Sequence, residues 1–526
     1  MALNFLIVTC SSGAKDGGPT STTPPAGNAA TARVSISPAT ATVQPWQTVT
    51  LSATVYDSAG NVLANRPIAW TNSDSLHASV NGQGAVTGNL LGSVTVTASN
   101  GGYSATAIVT IALTSSLSVG PNVDMDPTLS ASESSVAINP SNPLNIVAST
   151  NWAHFYSFDG GRSWKRSDVA ANGTANMDPN VAFTRTGTLL RQGLGSELSG
   201  PPSVVIQRSL DGGRTLGQGV FAFQARQGAT SGDQGILTID GVSTSPYFGS
   251  AYVVVSEYQA TGFVTAFPSI GFPLIVLSSR DGGITWNAPV DISDSPVNSQ
   301  EHSSSITTGP NGEVYAAWMN TAVGQVMFGR SLDGGRTWDK NTIVRVNPYR
   351  APFLLVDDMR GNPTIDVDRS SGPNRGAIYI SSIDKNGPSA GAVDAWIARS
   401  ADGGATWSSP VLLSDGPHGP YSFEFQPRIS VAPNGRVDAA WYEIRSWTGS
   451  SVPTYDVYYS YSTNGGVSFS PSVRVTSASS IKAVTVFGEY MGLTSDNTRA
   501  VAVWTDQRTG SPHAYFSVIW HASGSQ

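Results

Sequence analysis

Ser157-Phe158-Asp159-Gly160-Gly161-Arg162-Ser163-Trp164 is the first of six near-copies of the pattern Ser-x-Asp-x-Gly-x-Thr-Trp. The others run from Ser209 to Leu216, Ser279 to Trp286, Ser331 to Trp338, Ser400 to Trp407 and Ser462 to Phe469. The Asp-Gly-Gly core is unbroken in five copies and becomes Asn464-Gly465-Gly466 in the sixth. Ser and Asp side chains cap turns and glycine permits positive φ, so each copy reads as a hairpin turn. Its Asp, or Asn464, recurs at spacings of 52, 70, 52, 69 and 62 residues, which marks a repeat array.

Each period holds the same events. An aliphatic strand ends in a turn such as Asn139-Pro140, Pro310-Asn311-Gly312 or Pro433-Asn434-Gly435. A second strand often carries Trp, as in Ala316-Ala317-Trp318, Ala439-Ala440-Trp441 and Val503-Trp504. A third strand enters the motif and a fourth leaves it, and four antiparallel strands make one propeller blade. First strands at Val136, Val181, Leu237, Ile306, Ile365, Ile429 and Leu493 predict seven blades, with six as the alternative. The seventh period ends without the motif, so its fourth strand is expected from Ser116–Pro121, closing the ring and removing an edge. The motif resembles the Asp-box, or BNR repeat, of sialidases and their relatives. That resemblance implies hairpins on the outer part of each blade, serving as scaffold, in a fold whose familiar sialidase form has six blades.

The rest of the chain divides by composition. Among 526 residues only 12% are charged, while 55 Gly and 32 Pro favour turn-rich β structure; an all-β chain is expected. A net charge of −7 over this length provides no basic footprint and argues against nucleic acid as a partner. No apolar run reaches the length of a membrane span. Residues 1–32 read as a leader and flexible linker. Its Cys10, the chain's single cysteine, follows Leu6-Ile7-Val8-Thr9 and resembles a bacterial lipobox. The resemblance implies lipidation at Cys10, export, and a cell-surface or outer-membrane location, with membrane contact only through a lipid anchor. A start upstream of Met1 would supply the missing basic end of a signal peptide. Residues 33–113 alternate with period two, as in Gly92 to Ala98 and Ala105 to Ile111. They resemble a bacterial Ig-like domain of the invasin/intimin type, a β-sandwich with Trp70 expected in its core, acting as a spacer or adhesive module. Residues 114–526 are then the propeller.

Chemistry is expected on the face opposite the motif hairpins, around the mouth of the central channel. Aligning the first strands on their aliphatic residue gives a mainly polar ring: Glu133, Asp178, Gln234, Ser303, Asn362, Gln426 and Tyr490. The preceding position contributes Asp233, His302 and Glu489, and Glu301 and Glu424 stand one residue earlier still. Second-strand ends add Glu257, Asp384, Trp441-x-Glu443-x-Arg445 and Trp504-x-Asp506-x-Arg508, the last two equally readable as blade-to-blade salt bridges. Convergent carboxylates, a tyrosine and arginines suit glycoside hydrolysis, which needs a proton donor and a nucleophile or base around an oxocarbenium-like centre. Gly488-Glu489-Tyr490-Met491-Gly492-Leu493 is similar to the sialidase segment bearing the Tyr nucleophile, and Glu424 to Arg445 to the one bearing its activating Glu and a following Arg. The resemblance implies Tyr490, Glu424, Glu489 and Asp178 as catalytic candidates. Arg350, Arg428, Arg445, Arg508, Glu301, His302, Asp233 and Asp506 are the substrate-binding candidates. The arginine element that sialidases carry before the first Asp-box has no counterpart in Asp126 to Pro140. Two inserts, Gln259 to Pro273 and Asn347 to Asn362, bring aromatic and Arg residues that suit a sugar or a protein partner.

Three readings remain open on the sequence. The leading one is an exported, monomeric, sialidase-like glycoside hydrolase acting on an extracellular glycan or polysaccharide. The second is a non-catalytic surface propeller that binds a glycan or protein. The third is a polysaccharide lyase using Tyr490 or His302 as base beside Arg350. No cofactor is expected, apart from a structural calcium for which Asp357-Asp358 is the candidate loop.

Overall fold

The computed structural model describes residues 29–522, apart from 152, 168–176, 196–202, 224–228, 260–272, 294–300, 321–324, 347–361, 385–392, 419–421, 446, 448–451, 482–487 and 489. All regular structure among them is β-strand, as the Gly- and Pro-rich composition predicts. The chain divides into two compact units, of which the second begins in the main at Ile111.

In the first unit, Arg33–Ser37 pairs with Ser52–Tyr56. Thr40–Val43, Tyr103–Ile111, Gly92–Asn100 and Ala69–Asn72 form a four-stranded sheet in that order. Alternation does what period two requires: Val94, Val96 and Ala98 point inward while Ser93 and Thr95 face solvent. The core consists of Leu51, Val86, Val96 and Val109, all buried. Trp70 is not in it. The ring is half-buried and packs over Gly84, where a Cβ would lie 2.6 Å from Trp70 Cζ2. Leu, Val, Ile and Ala side chains are the buried ones here instead.

The second unit contains, among the described residues, seven successive antiparallel sheets built on four strands. Their first strands are Ser135–Ile138, Met177–Phe183, Ala229–Ile239, Glu301–Thr308, Thr364–Val367, Phe423–Val431 and Gly492–Ser495. Each packs on the next, and the last packs on the first, so these strands are innermost in a closed ring. Six sheets follow chain order from inside out. The seventh runs Gly492–Ser495, Arg499–Asp506, His513–His521, and is completed by Leu117–Val119 from the unit's other end. This pairs Leu117 with His521 and Val119 with Ile519, so the ring closes by mixing the two ends of the array.

Neighbouring blades bury apolar layers between them, from blades one and two round to six and seven. Between blades six and seven the layer includes Phe425, Tyr442, Tyr459 and Trp504; between four and five, Phe328, Ile380 and Trp396. The motif hairpins stitch this layer from below. In the fourth, Ser331 Oγ meets Asp333 Oδ1 at 2.8 Å and accepts from Gly335 N at 2.8 Å, while Thr337 Oγ1 donates to Asp333 Oδ2 at 2.6 Å. Thr406 does the same for Asp402 and, with Ser400, holds that carboxyl down at about 2. The second glycine of each motif also seats against the preceding blade. A Cβ on Gly404, at φ 89°, would lie 2.1 Å from Phe328 Cε1, and one on Gly161, 2.2 Å from Phe516 of the seventh blade. The motif is thus a blade-to-blade seat as well as a turn.

Candidate functional site

The polar ring of the first strands has a backbone cause. Glu133, Asp178, Ser303 and Gln426 all adopt positive φ, between 48° and 56°, although none is glycine. Strand pairing breaks at the same level, between Met177 and Asn180, Asp233 and Ile236, His302 and Ser305, and Phe425 and Arg428. A bulge recurs there in blade after blade, re-aiming one side chain. Pro179, Pro363 and Pro427 each follow a ring residue, and proline cannot donate to the ladder. Such backbone strain in non-glycine residues clusters at functional sites.

Inside this ring is a narrow axial cavity of about 10 Å³, room for one water. Its walls include Asn362, Thr364, Gln426, Arg428 and Tyr490. Tyr490 reaches across from blade seven, and its hydroxyl donates to the carbonyl of Pro179 at 3.4 Å, next to Asp178. The Asp178 amide in turn donates to Asn151 Oδ1 at 3.0 Å, and Asn151 Nδ2 to Glu133 Oε2 at 2.6 Å. Arg428 donates through Nε to the Met491 carbonyl at 2.9 Å and carries its guanidinium 5.6 Å from the Tyr490 ring centre. Among the described residues it has no carboxylate partner. A second guanidinium, Arg191, is wholly buried with Ser149 Oγ and Gln207 Oε1 as neutral acceptors; burial draws it down to about 10, with Tyr490 opposing. Sequence reasoning missed Arg191 because nothing local distinguishes it from a surface arginine on a strand.

A separate polar cluster lies between the upper ends of blades five and six. Glu424 turns away from the axis and accepts from the Ala395 amide at 2.7 Å. Burial, with Glu443 beside it, raises its carboxyl to about 8. Asp394 Oδ1 meets His418 Nδ1 at 2.8 Å. Glu443 accepts from Trp441 Nε1 at 3.0 Å and from Arg445 Nε at 2.6 Å. Blade seven repeats that clip, with Asp506 accepting from Trp504 Nε1 at 2.9 Å and from Arg508 Nη2 at 2.6 Å.

The structure therefore brings Tyr490, Arg428 and the Asp178 segment together, and places Glu424 with Ala395, Glu443 and Asp394 instead. Arg445, Arg508 and Asp506 are engaged in strand-end clips within their own blades, and Arg445 also lies 3.9 Å from Asp415 on the connection leaving blade five. Glu301, His302 and Asp233 lie on first strands, pairing with Asn320, Met319 and Ser256, while their side chains fall outside the described residues. Cys10, Arg350, Glu489 and the Asp357-Asp358 loop also fall outside them. Asp394 and His418 were not singled out from sequence, since 24 residues separate them and no ligand spacing links them.

Comparison with known proteins agrees with the Ig-like and the Asp-box resemblances. Residues 30–111 match the bacterial Ig-like domain (group 2), and residues 155–166 match the BNR/Asp-box repeat. No curated protein matches the chain significantly. Among solved structures, one similar chain is a protein of unknown function from Dyadobacter fermentans, at 14% identity and TM-score 0.44, covering 77% of this chain and 99% of that one. Another is a Hadza microbial sialidase, at 16% identity and TM-score 0.43, covering 72% and 74%. A third is an alpha-L-arabinanase of Penicillium chrysogenum, at 12% identity and TM-score 0.41, covering 76% and 98%.

Proposed function

We propose that this chain is an exported glycoside hydrolase of the sialidase-like kind, acting at the upper mouth of the propeller channel on an extracellular glycan that carries a carboxylate. The observation behind this reading is Arg428, which lines the same cavity as Tyr490 and has no carboxylate partner among the described residues. A guanidinium with donors left over is suited to grip both oxygens of an acidic sugar. With the carboxylate held there, the Tyr490 oxygen attacks the anomeric carbon and passes its proton to a nearby carboxylate, for which Glu489 is the candidate. Asp178 protonates the departing oxygen and then takes a proton from the incoming water, which displaces the Tyr490 oxygen from the anomeric carbon as that oxygen regains its proton from the carboxylate. Glu424 has no part in these steps, because its carboxylate faces Ala395.

One observation favours a second reading, a propeller that binds an acidic glycan without cleaving it. The cavity at ring level has room for one water, and the Tyr490 hydroxyl already donates to a backbone carbonyl. Release of fluorophore from a sialic acid aryl glycoside by the purified chain, beside Tyr490→Phe and Arg428→Met, separates the two. Turnover abolished by Tyr490→Phe and a KM raised by Arg428→Met support the hydrolase. Absence of turnover on this substrate and on a panel of acidic polysaccharides, with retention on an acidic-glycan column that Arg428→Met loses, supports the binder. Unsaturated uronates released from the panel would assign a lyase instead.

A further inference from the structure

Asp394 opens the third strand of blade five, Asp394–Ser400; His418 lies on the connection leaving that blade; Glu424 lies on the first strand of blade six, Phe423–Val431. One ligand atom from each falls within 4.8 Å of the other two. Two donors facing each other across an ion bound at about 2.0–2.4 Å are about 4–5 Å apart, so these three fit around a single ion. Backbone bonds hold the two strands in place: Glu424 N donates to the Val393 carbonyl at 2.9 Å, and Val393 N to the Ser422 carbonyl at 3.2 Å. Asp394 is 4% exposed and Glu424 1%, so neither carboxylate is simply solvated.

The charge balance points the same way independently. Buried beside these two is Glu443, which makes three carboxylates at this end of the two blades. Arg445 is held by Glu443 at 2.6 Å and His418 meets Asp394 at 2.8 Å, which leaves Glu424 without a cationic partner among the described residues. Ionising a buried carboxylate beside a second one is costly, and a cation at the point where Asp394, His418 and Glu424 converge offsets that cost. We infer that Asp394, His418 and Glu424 form a divalent-cation site joining blades five and six. One imidazole with two carboxylates selects a borderline ion such as Zn²⁺ or Mn²⁺ over Ca²⁺, which prefers an all-oxygen shell. The site is distinct from the axial cavity and does not depend on the reaction proposed there. It gives Glu424 a structural role, as ligand.

The test uses the full chain, stripped with chelator and titrated with ZnCl₂ by calorimetry, alongside His418→Ala and Asp394→Asn. One equivalent bound by the chain, at least tenfold more weakly by each variant, is the expected result. No binding, or binding that His418→Ala leaves unchanged, overturns the site; tighter Ca²⁺ than Zn²⁺ binding overturns the assigned ion. Should either variant fail to fold, Co²⁺ added to the unaltered chain reads the same site. Visible d–d bands displaced by one equivalent of Zn²⁺ support imidazole and carboxylate ligation, and their absence refutes it.

Discussion

Two buried histidines make the propeller sensitive to mild acid, and the size of the effect follows from their surroundings. His154, on the third strand of blade one, has no exposed surface and no hydrogen bond to either ring nitrogen among the described residues. Burial, with Arg191 adding repulsion against a weaker pull from Asp211, lowers it to about 3. His521 ends the third strand of blade seven, 2% exposed, with Nε2 2.7 Å from the Tyr459 hydroxyl. Burial and Arg436 outweigh Asp438 and Asp496 and lower it to about 4. Both folded values lie below the ordinary 6.5, so the unfolded chain binds protons first. Stability is fully present above about pH 6.5 and is lost as pH falls towards the folded values. At pH 5 the solution lies about 1.5 units below the unfolded value and above both folded ones, which is about 2 kcal/mol apiece and about 4 kcal/mol for the two. For a unit of this size about 1 kcal/mol moves the melting temperature by about 1.2 °C, so the pair accounts for a drop of about 5 °C between pH 7 and pH 5. Glu424 and Asp240, whose carboxyls are raised, act in the opposite sense over this range. The measurement is therefore a difference: melting temperatures by calorimetry at both pH values, for the chain and for His154→Leu/His521→Gln. The double variant should lose about 5 °C less than the parent. An equal loss in both proteins refutes the reasoning.

Three further outcomes follow from the packing. Arg436 and Asp438 form a buried pair with contacts of 2.7 and 2.9 Å, and Tyr459 and His521 complete the group. Asp438→Asn strands the guanidinium and should cost about 3–5 kcal/mol in urea unfolding, against a small effect for the exposed Asp339→Asn. Gly404→Ala places a methyl 2.1 Å from Phe328 at a positive φ and should cost about 2–4 kcal/mol. Gly510→Ala, with φ of 93° and open space around it, isolates the conformational part and should cost about 1 kcal/mol; equal costs for the two glycines would disprove the seat assigned to the motif. Asp333→Ala removes the acceptor for the Thr337 hydroxyl and for the Arg336 and Thr337 amides, and should cost about 1–2 kcal/mol, read as a melting shift.

The Asp-box turn and the strand pattern around it were legible in the chain because their determinants are local. Ser331, Asp333, Gly335 and Thr337 satisfy one another within seven residues, so the same hydrogen bonds can be written from any copy. The ring of polar positions was legible for the same reason, since each stands three residues before an aliphatic anchor; the bulge that gives them positive φ was not. Trp70 misled because a tryptophan on a sandwich strand reads as core until the space between sheets is known. Partners across the fold were not legible. Tyr490 meets Pro179 across 311 residues of chain, Asp394 meets His418 across a blade connection, and Glu424 turns to Ala395 and away from Tyr490. A propeller places each blade by packing against its neighbours, and local sequence carries no record of which side chain then faces which. Sequence alone determined the repeat, the all-β class and the candidate residue types; only the closed ring decided which of those residues share a site.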